Sequence, residues 1–301
     1  MMEIEKLKLL PQSHLDVERY DRVVESAPNS RVYAISWYLD HVIDSWDVLV
    51  YGDYEYVMPL PWKRRLGIRY AVQPPYTQQL GIFPSPPHEI MNLFISAIGR
   101  HFRFAKVQFN SDNTSPFEGL VPRQNLLLNL HFPYNGLYAE YSGHTRRHLK
   151  RAAENHFTFS EGLMAADYID FKRSAQPARK LTSQLGVLQR LMGFLLFKGQ
   201  GFLYGVYNRE NQLCAAALFV LHGRRLIYLN GVSLREAHSE GAMYYLMDRV
   251  VQQFAHRQLS LDFEGSMLPG VARFFEGFGG RSELYFAYTF NRLPIPLRWL
   301  L

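Results

Sequence analysis

Two acidic side chains at the end of a predicted strand are the residues of this sequence best suited to acid–base chemistry. Residues 259–264 alternate between apolar and polar side chains, which is typical of a half-buried strand. The alternation places Asp262 and Glu264 together on the face opposite Leu261 and Phe263. Two carboxylates on one face can titrate as a coupled pair. Glu264 also fits a second interpretation, in which it caps the turn after the strand.

The start of a predicted helix offers a second kind of chemistry, the binding of a phosphate. Residues 226–232 predict a strand and 240–256 a helix. A helix N-terminus presents unpaired N–H groups and a positive dipole end, and small residues there let a ligand approach the backbone. The junction also fits an ordinary strand-to-helix turn with a serine N-cap. The candidate cofactor-binding residues of this junction are Val232, Ser239, Glu240, Gly241 and Ala242.

Two side chains on the strand before this junction are further candidates. Tyr228 and Asn230 occupy alternate positions, so both can reach a cleft beside the helix start. We take Tyr228 as a candidate catalytic residue and Asn230 as a candidate substrate-binding residue. Tyr228 fits the hydrophobic core equally well.

A group of cations on one predicted helix is a candidate site for an anionic group of the substrate. Arg146 and Arg147 lie with Lys150 and Arg151 on one side of the helix predicted over 145–155. Such a group can bind the phosphate or carboxylate of an acceptor. It also fits a solvated helix face.

Three neutral polar side chains stand in an otherwise apolar, extended stretch, residues 70–83. Tyr76, Gln78 and Gln79 could line a polar substrate groove between the two halves of the chain. An edge strand would give the same pattern, so both interpretations stay open.

The length, net charge and cysteine content limit the classes of protein to which this sequence can belong. The 301 residues are enough for one large or two ordinary domains, and the net charge of +6 favours an anionic partner. The single cysteine, Cys214, excludes an intramolecular disulfide and lies in an apolar run that predicts a core position. We find no histidine spacing typical of a metal site, no nucleophile elbow, no Walker loop and no DNA-binding motif. We therefore expect no metal and no DNA partner.

The sequence predicts a cytoplasmic protein. Its first residues carry charges through their apolar positions and have no signal-peptide core. No uncharged apolar stretch reaches the roughly 18–20 residues that a membrane span needs.

The predicted elements occur in the same order twice. The first half has strands at 47–51 and 54–60, a basic turn at 63–65, a helix at 88–102 and a strand at 104–109. The second half has strands at 202–207, 213–221 and 226–232, the helix at 240–256 and the strand at 259–264. The repeat predicts an α/β (α+β) fold of two related halves. We place the boundary so that one domain is 1–138 and the other 139–301.

Two segments carry a resemblance to a known family. Residues 275–280 read Phe-Glu-Gly-Phe-Gly-Gly, close to the pattern F-K-x-G-F-G-G, and follow the acidic strand end at 261–265. Residues 141–152 look like the segment that opens the second domain of the same proteins. The chain resembles the FemAB-like branch of the GNAT acyltransferase superfamily.

The resemblance implies two GNAT-like domains in tandem, each a mixed, mainly antiparallel sheet flanked by helices. It also implies that the second domain binds the donor, while the first has lost donor binding and shapes the acceptor groove. Two departures stand out: residues 236–242 lack the first glycine of the usual pyrophosphate loop, and Glu276 replaces the lysine of the family pattern.

The activity implied by the resemblance is direct attack of an amine on an acyl donor. The donor would be acetyl-CoA or another acyl-CoA, and the acceptor a small molecule or peptide with an amine. Glu264 is the candidate general base, and one of the helix tyrosines, Tyr245 being our choice, would protonate the leaving thiolate. The alternatives are an aminoacyl-tRNA-dependent transferase acting on a cell-wall precursor and a non-catalytic binding protein. The tRNA donor is less favoured because no charged helical hairpin is visible.

Overall fold

A computed structural model describes residues 6–175, 181–265, 267, 269–295 and 298. The elements in chain order are β1 (Leu7–Pro11), α1 (Val17–Ser26), α2 (Ser36–Val42), β2 (Trp46–Tyr51), β3 (Tyr56–Arg65), β4 (Ile68–Ala71), α3 (His88–His101), β5 (Phe104–Phe109), β6 (Leu120–Asn129), α4 (Tyr134–Ala139), α5 (Gly143–Glu154), β7 (Thr158–Ser160), α6 (Ala165–Ala175), α7 (Leu181–Phe197), β8 (Gly201–Tyr207), β9 (Leu213–His222), β10 (Arg225–Ser233), α8 (Arg235–Glu240), α9 (Ala242–Phe254), β11 (Ser260–Asp262), α10 (Pro269–Glu276) and β12 (Arg281–Asn291). Short 3₁₀ helices follow β1 and α1, at Gln12–His14 and Val32–Ala34.

The chain forms two compact units. Unit 1 comprises the described residues up to Arg123 and from Leu284 onward, and unit 2 is Gln124–Glu283. The strand order of unit 1 is β1-β2-β3-β4-β5-β12, and that of unit 2 is β7-β8-β9-β10-β11-β6. In both sheets the described strand pairs are antiparallel apart from one parallel pair, β4–β5 in unit 1 and β10–β11 in unit 2. The predicted fold class, a mixed and mainly antiparallel sheet with helices in each half, is confirmed.

The boundaries of the two units differ from those of the predicted domains, 1–138 and 139–301. Strand β6 pairs with β11, which brings residues 124–138 into unit 2. Strand β12 pairs with β5, which brings residues 284–291 into unit 1. Unit 2 is therefore one continuous run of sequence, whereas unit 1 takes its last strand, β12, from the residues that follow unit 2. Such pairing depends on contacts between distant residues, which the linear order of elements does not reveal.

The core of unit 2 forms where the apolar stripe of α9 meets the sheet. Ala242, Leu246, Met247 and Val250 are buried on this stripe, as the helical spacing predicts. Cys214 on β9 is buried in the same core, which confirms its predicted position. In unit 1 the helix α3 buries the corresponding stripe.

Three local predictions differ from the structure. Lys63, Arg64 and Arg65 belong to β3, and the turn follows at Leu66–Gly67, where both residues have positive φ. The helix predicted over 240–256 is α9, which begins at Ala242, because Glu240 ends the separate short helix α8. The strand predicted over 259–264 ends at Asp262.

Among the described helices, none has the length and apolarity needed to cross a membrane.

Candidate active site

The candidate site is a cleft that opens where two parallel strands of unit 2 separate. Strands β10 and β11 pair over three positions only, from Arg225–Ser260 to Ile227–Asp262. Beyond Ile227, β10 stays paired with β9, and a bulge between Tyr228 and Asn230 shifts its register. The chain after Asp262 leaves the sheet. The edge of β10 that faces away from β9 is thereby exposed to the cleft.

The cleft has a volume of about 730 Å³. Its described lining residues all belong to unit 2, and most are apolar or aromatic, with a few polar groups among them. They come from β10 (228–233), from the region of the α8–α9 junction (His238, Met243 and Tyr244), from the turn after β11 (263–265) and from α10 (Gly270, Val271, Phe274 and Phe275). An apolar cleft with a small number of placed polar groups is typical of a small-ligand site.

Glu264 lies on the wall of this cleft, in a tight turn. Its φ is 54° and that of Gly265 is 43°, so the backbone leaves the strand conformation after Phe263. A Cβ on residue 265 would come within 2.4 Å of the carbonyl oxygen of Gln124, so only glycine fits there. The turn brings Glu264 to the wall of the cleft, while the Phe263 ring packs in the core.

Asp262 is a support for Glu264 and does not line the cleft. It is only 2% exposed, and its carboxylate pairs with Arg225 at 2.8 Å. Its second oxygen accepts a hydrogen bond from the Glu264 N–H at 2.9 Å. The predicted pair of carboxylates on one face is therefore wrong. The alternation ends with β11, and the left-handed turn at Glu264 sends the two side chains to different places.

Tyr228 combines a core position with access to the cleft. Its ring packs between Phe219 and Phe275, with centroids 5.3 and 5.7 Å away. Its hydroxyl lies 3.8 Å from the sulfur of Met243, and burial raises the pKa of the phenol well above its ordinary value. The phenol therefore stays protonated and can act as a hydrogen-bond donor. A Cβ at Gly231 would lie 1.7 Å from this hydroxyl, so Gly231 provides the space for it.

Asn230 and Val232 also line the cleft, as the sequence predicts for residues beside the candidate site. The side-chain oxygen of Asn230 accepts a hydrogen bond from the Tyr168 hydroxyl of α6 at 2.7 Å. This bond fixes the orientation of the Asn230 amide and leaves its NH₂ group as a donor.

The helix start expected to form a phosphate cradle is packed against another helix. Gly241 has φ 88° and joins α8 to α9, and a Cβ there would lie 2.5 Å from the carbonyl oxygen of His148 on α5. Ala242 is fully buried, Ser239 donates to the carbonyl of Glu236 within α8, and the carbonyl of Glu240 accepts from Asn155. None of the four predicted residues lines the cleft. The glycine is needed for helix packing, which gives the same sequence pattern as a ligand loop.

We expect Gly241→Ala to destabilise the protein more than Gly223→Ala. Both glycines have positive φ, where alanine costs about 1 kcal/mol or more, but a Cβ at Gly223 meets open space. The clash of the Gly241 variant with backbone of α5 should add about 1–3 kcal/mol. Urea unfolding of the two variants measures the difference. Equal losses of stability would show that α5 does not close on this glycine.

Tyr244, not Tyr245, is the tyrosine of α9 that lines the cleft. Its ring stacks on His148 at 4.2 Å with an interplanar angle of 4° and meets Phe274 edge-on at 4.7 Å. Tyr245 follows at 100° around the helix, and its ring lies 6.4 Å from Phe157.

The two arginines predicted to bind substrate lie on different sides of α5. Arg146 donates to the carbonyl of Ala139 at 2.7 Å and lies over the Tyr138 ring, so it secures the end of α4. Arg147 is exposed, and its charge helps to lower the pKa of the neighbouring His148.

Tyr76, Gln78 and Gln79 belong to unit 1. Tyr76 has φ 55°, its carbonyl accepts from the Tyr38 hydroxyl, and burial raises the pKa of its own phenol to about 12. Gln79 is buried and accepts a hydrogen bond from the Ser111 N–H, and its amide donates to Gln78. Their predicted role in acceptor binding stays a prediction.

In the part of the chain that the structure describes, no three or more His, Cys, Asp or Glu side chains gather closely enough to hold a metal ion.

Several lining residues were not singled out from the sequence. These residues lie in segments for which the sequence predicted other roles; they are Gly231, His238, Met243 and Phe274. The bulge in β10 and the close packing of α10 bring these residues to the cleft. Neither feature produces a periodic pattern in the sequence. The paired aromatic residues at 274–275 were the one sequence feature that could have indicated an aromatic wall.

The sequence matches no protein-family model and no curated protein sequence. Solved structures are similar over nearly the whole chain. FemX superposes with a TM-score of 0.61 at 13% identity, covering 98% of this chain and 99% of that one. A conserved protein of unknown function from Bacteroides thetaiotaomicron gives 0.60 at 8%, covering 91% and 96%. L-PGS from Bacillus licheniformis gives 0.52 at 10%, covering 95% of each chain.

These similarities, together with the matching strand order of the two units, establish the architecture. The chain has the FemAB-like fold of FemX.

Proposed function

We propose that the protein is a transferase that moves an acyl or aminoacyl group to an amine, with the donor bound in the cleft of unit 2. The observation that carries the proposal is the separation of β10 from β11, which opens a cleft of about 730 Å³ with Glu264 on its wall. The fold is that of FemX and of the C-terminal domain of a putative lysylphosphatidylglycerol synthetase from Agrobacterium fabrum. Fold alone does not fix function, so the proposal rests on the cleft.

The exposed edge of β10 suits an extended arm of the donor. Residues 230–233 pair with β9 on one side, and their other side borders the cleft. An extended chain can add to such an edge through backbone hydrogen bonds. The reactive carbonyl would then lie near the bulge, beside Glu264 and Tyr228.

The corresponding gap in unit 1 is filled by the protein itself. Strands β4 and β5 pair in parallel at Ala71–Ala105, and the chain rejoins β5 at Leu80–Phe109. Between these points the Gln73 side chain accepts from the Gln108 N–H and donates to the Thr77 carbonyl, both at 3.0 Å. This filling supports the placement of the donor in unit 2.

The proposed reaction is a direct transfer. The amine nitrogen attacks the carbonyl carbon of the donor, and the bond to the carrier sulfur or oxygen breaks. Glu264 accepts the proton that the amine loses, and the Tyr228 hydroxyl donates a hydrogen bond to the carbonyl oxygen as negative charge develops on it. In this proposal Tyr244 protonates the leaving group.

Two carriers are consistent with the proposal. An acyl-CoA is the donor that we expected from the sequence, and an aminoacyl-tRNA is the alternative. Both end in an adenine nucleotide and both place the acyl group on an extended arm. The closed start of α9 removes the phosphate cradle that the sequence offered for CoA.

A transfer assay with labelled donors tests the proposal. The protein is incubated with labelled acetyl-CoA, with a short-chain acyl-CoA set, or with a mixture of labelled aminoacyl-tRNAs, each with an excess of a lysine-containing peptide. We expect label in the peptide from one class of donor. Tight donor binding without any transfer would contradict the proposal and favour a binding protein of the same fold.

A further inference from the structure

A basic stripe runs along α5 beside the cleft. We define it as His144, Arg147, His148 and Arg151, which follow the spacing i, i+3, i+4, i+7 and therefore share one side of the helix. Lys150 and Arg146 project from other sides of the same helix. The serine cap at Ser142, which accepts from the Thr145 N–H, fixes where this helix begins.

The two histidines of the stripe lie beside the helices that border the cleft. The His148 ring stacks on Tyr244 of α9 at 4.2 Å, and the His144 ring lies 4.6 Å from His148 and 6.0 Å from Tyr244. The charge of His238 on α8 also acts on His148. Tyr244 and His238 are both lining residues, so the histidines of the stripe adjoin the cleft, and Arg147 and Arg151 lie on the same side of α5 as these histidines.

The arginines of the stripe are not held in ion pairs by the described residues. Within the described part of the chain, no carboxylate forms an ion pair with Arg147 or Arg151, and the Nδ1 atom of His148 is buried without a hydrogen-bond partner. Burial lowers the pKa of His148, and the charges of His144, Arg151, Arg147 and His238 lower it further. The lowered pKa leaves His148 neutral at pH 7, so the positive charge of the stripe comes from Arg147 and Arg151. Two neighbouring cations without an ion pair indicate a place for an anion.

We propose that the basic stripe binds phosphate groups of the donor carrier at the mouth of the cleft. This inference rests on the proposed function, because the cleft must hold the donor for the stripe to meet its phosphates. Arginine forks bind phosphate in a bidentate manner, and Arg147 and Arg151 lie one helical turn apart, a spacing that suits two phosphates of one nucleotide end. The phosphate-bearing adenosine end of CoA and the 3′ end of a tRNA share this chemistry.

Binding measurements on matched variants test the assignment. Arg147→Gln and Arg151→Gln remove stripe charges, and Lys150→Gln removes the same charge from another side of α5. All three residues are exposed, so we expect unchanged melting temperatures. The probes are CoA, pantetheine, and an RNA hairpin that ends in a single-stranded 3′ CCA.

For a CoA donor, each stripe variant should bind CoA about 10- to 100-fold more weakly, the loss expected for a charge-assisted hydrogen bond. Pantetheine, which has no phosphate, should bind all variants equally. For an RNA donor, each stripe variant should also lower the salt dependence of binding by about one unit of the log–log slope. Lys150→Gln should behave as the wild type with both probes.

Two results would overturn the inference and are distinguishable. If the wild type binds CoA or the RNA hairpin but the stripe variants match Lys150→Gln, the stripe is not the phosphate site and the proposed function survives. If the wild type binds neither probe, the proposed function fails together with the stripe.

Discussion

Glu264→Gln is expected to lower kcat about 10²- to 10⁴-fold, the usual contribution of a general base. The amide keeps the size of the side chain but cannot accept the proton that the amine loses. The turn that presents residue 264 is fixed by Gly265 and by the bond from its own N–H to Asp262, so the variant should retain the wild-type backbone. Single-turnover transfer rates, with the donor affinity measured separately, check this result.

The matched control is Glu276→Gln. Glu276 is exposed at the end of α10 and does not line the cleft, although it stands in the segment that resembles the family pattern. We expect wild-type rates for this variant. A Glu264→Gln enzyme that transfers as fast as Glu276→Gln would remove Glu264 from the chemistry.

Arg225→Ala is expected to cost about 3 kcal/mol of unfolding free energy, near the lower end of the range for breaking a buried ion pair. Arg225 bonds to Asp262 at 2.8 Å and to Glu283 at 2.9 Å, and its loss leaves the Asp262 carboxylate buried without its partner. The side chain of Arg225 is 20% exposed, so water can partly replace it. Because Asp262 supports the Glu264 N–H, transfer should slow as well.

Arg224→Ala provides the comparison for this loss. Arg224 is the exposed neighbour, and no side-chain bond holds it in the described structure. Its substitution should change the unfolding free energy by less than about 0.5 kcal/mol. Arg225→Lys should fall between the two, since one ammonium cannot bridge both carboxylates as a guanidinium does. Urea midpoints that are equal for the Arg224 and Arg225 variants would contradict the role given to this network.

Local patterns predicted the elements well. The apolar stripe of α9 and the alternation of β5 follow from side-chain periodicity, which is a property of neighbouring residues. The order of strands and helices in each half was therefore visible, and with it the fold class. The resemblance at residues 275–280 and 141–152 indicated the FemAB-like arrangement that the structural similarity to FemX confirms.

The details of the site depend on contacts between distant residues. Gly265 is required by the backbone at Gln124, and this contact turns Glu264 away from Asp262. Gly241 is required by α5, so a sequence that looked like a ligand loop is a packing point. Neither contact could be read from the residues around it.

The sequence predicted Tyr245 at the cleft, whereas Tyr244 lies there. This difference also depends on contacts between distant residues. Adjacent residues on a helix point about 100° apart, and the choice between them depends on where α5 and α10 pack. Likewise, only the pairing of β10 with both of its neighbours reveals the bulge that opens the cleft.

A crystal structure with a stable donor analogue tests the central claim most directly. Suitable analogues are a CoA thioether that carries a ketone in place of the thioester, and an RNA end with an amide-linked amino acid. We predict that the arm of one analogue lies along β10 and that its carbonyl carbon sits beside the Glu264 carboxylate, with space for an amine between them. An analogue that binds elsewhere while the space between β10 and β11 stays vacant at saturation would contradict the account.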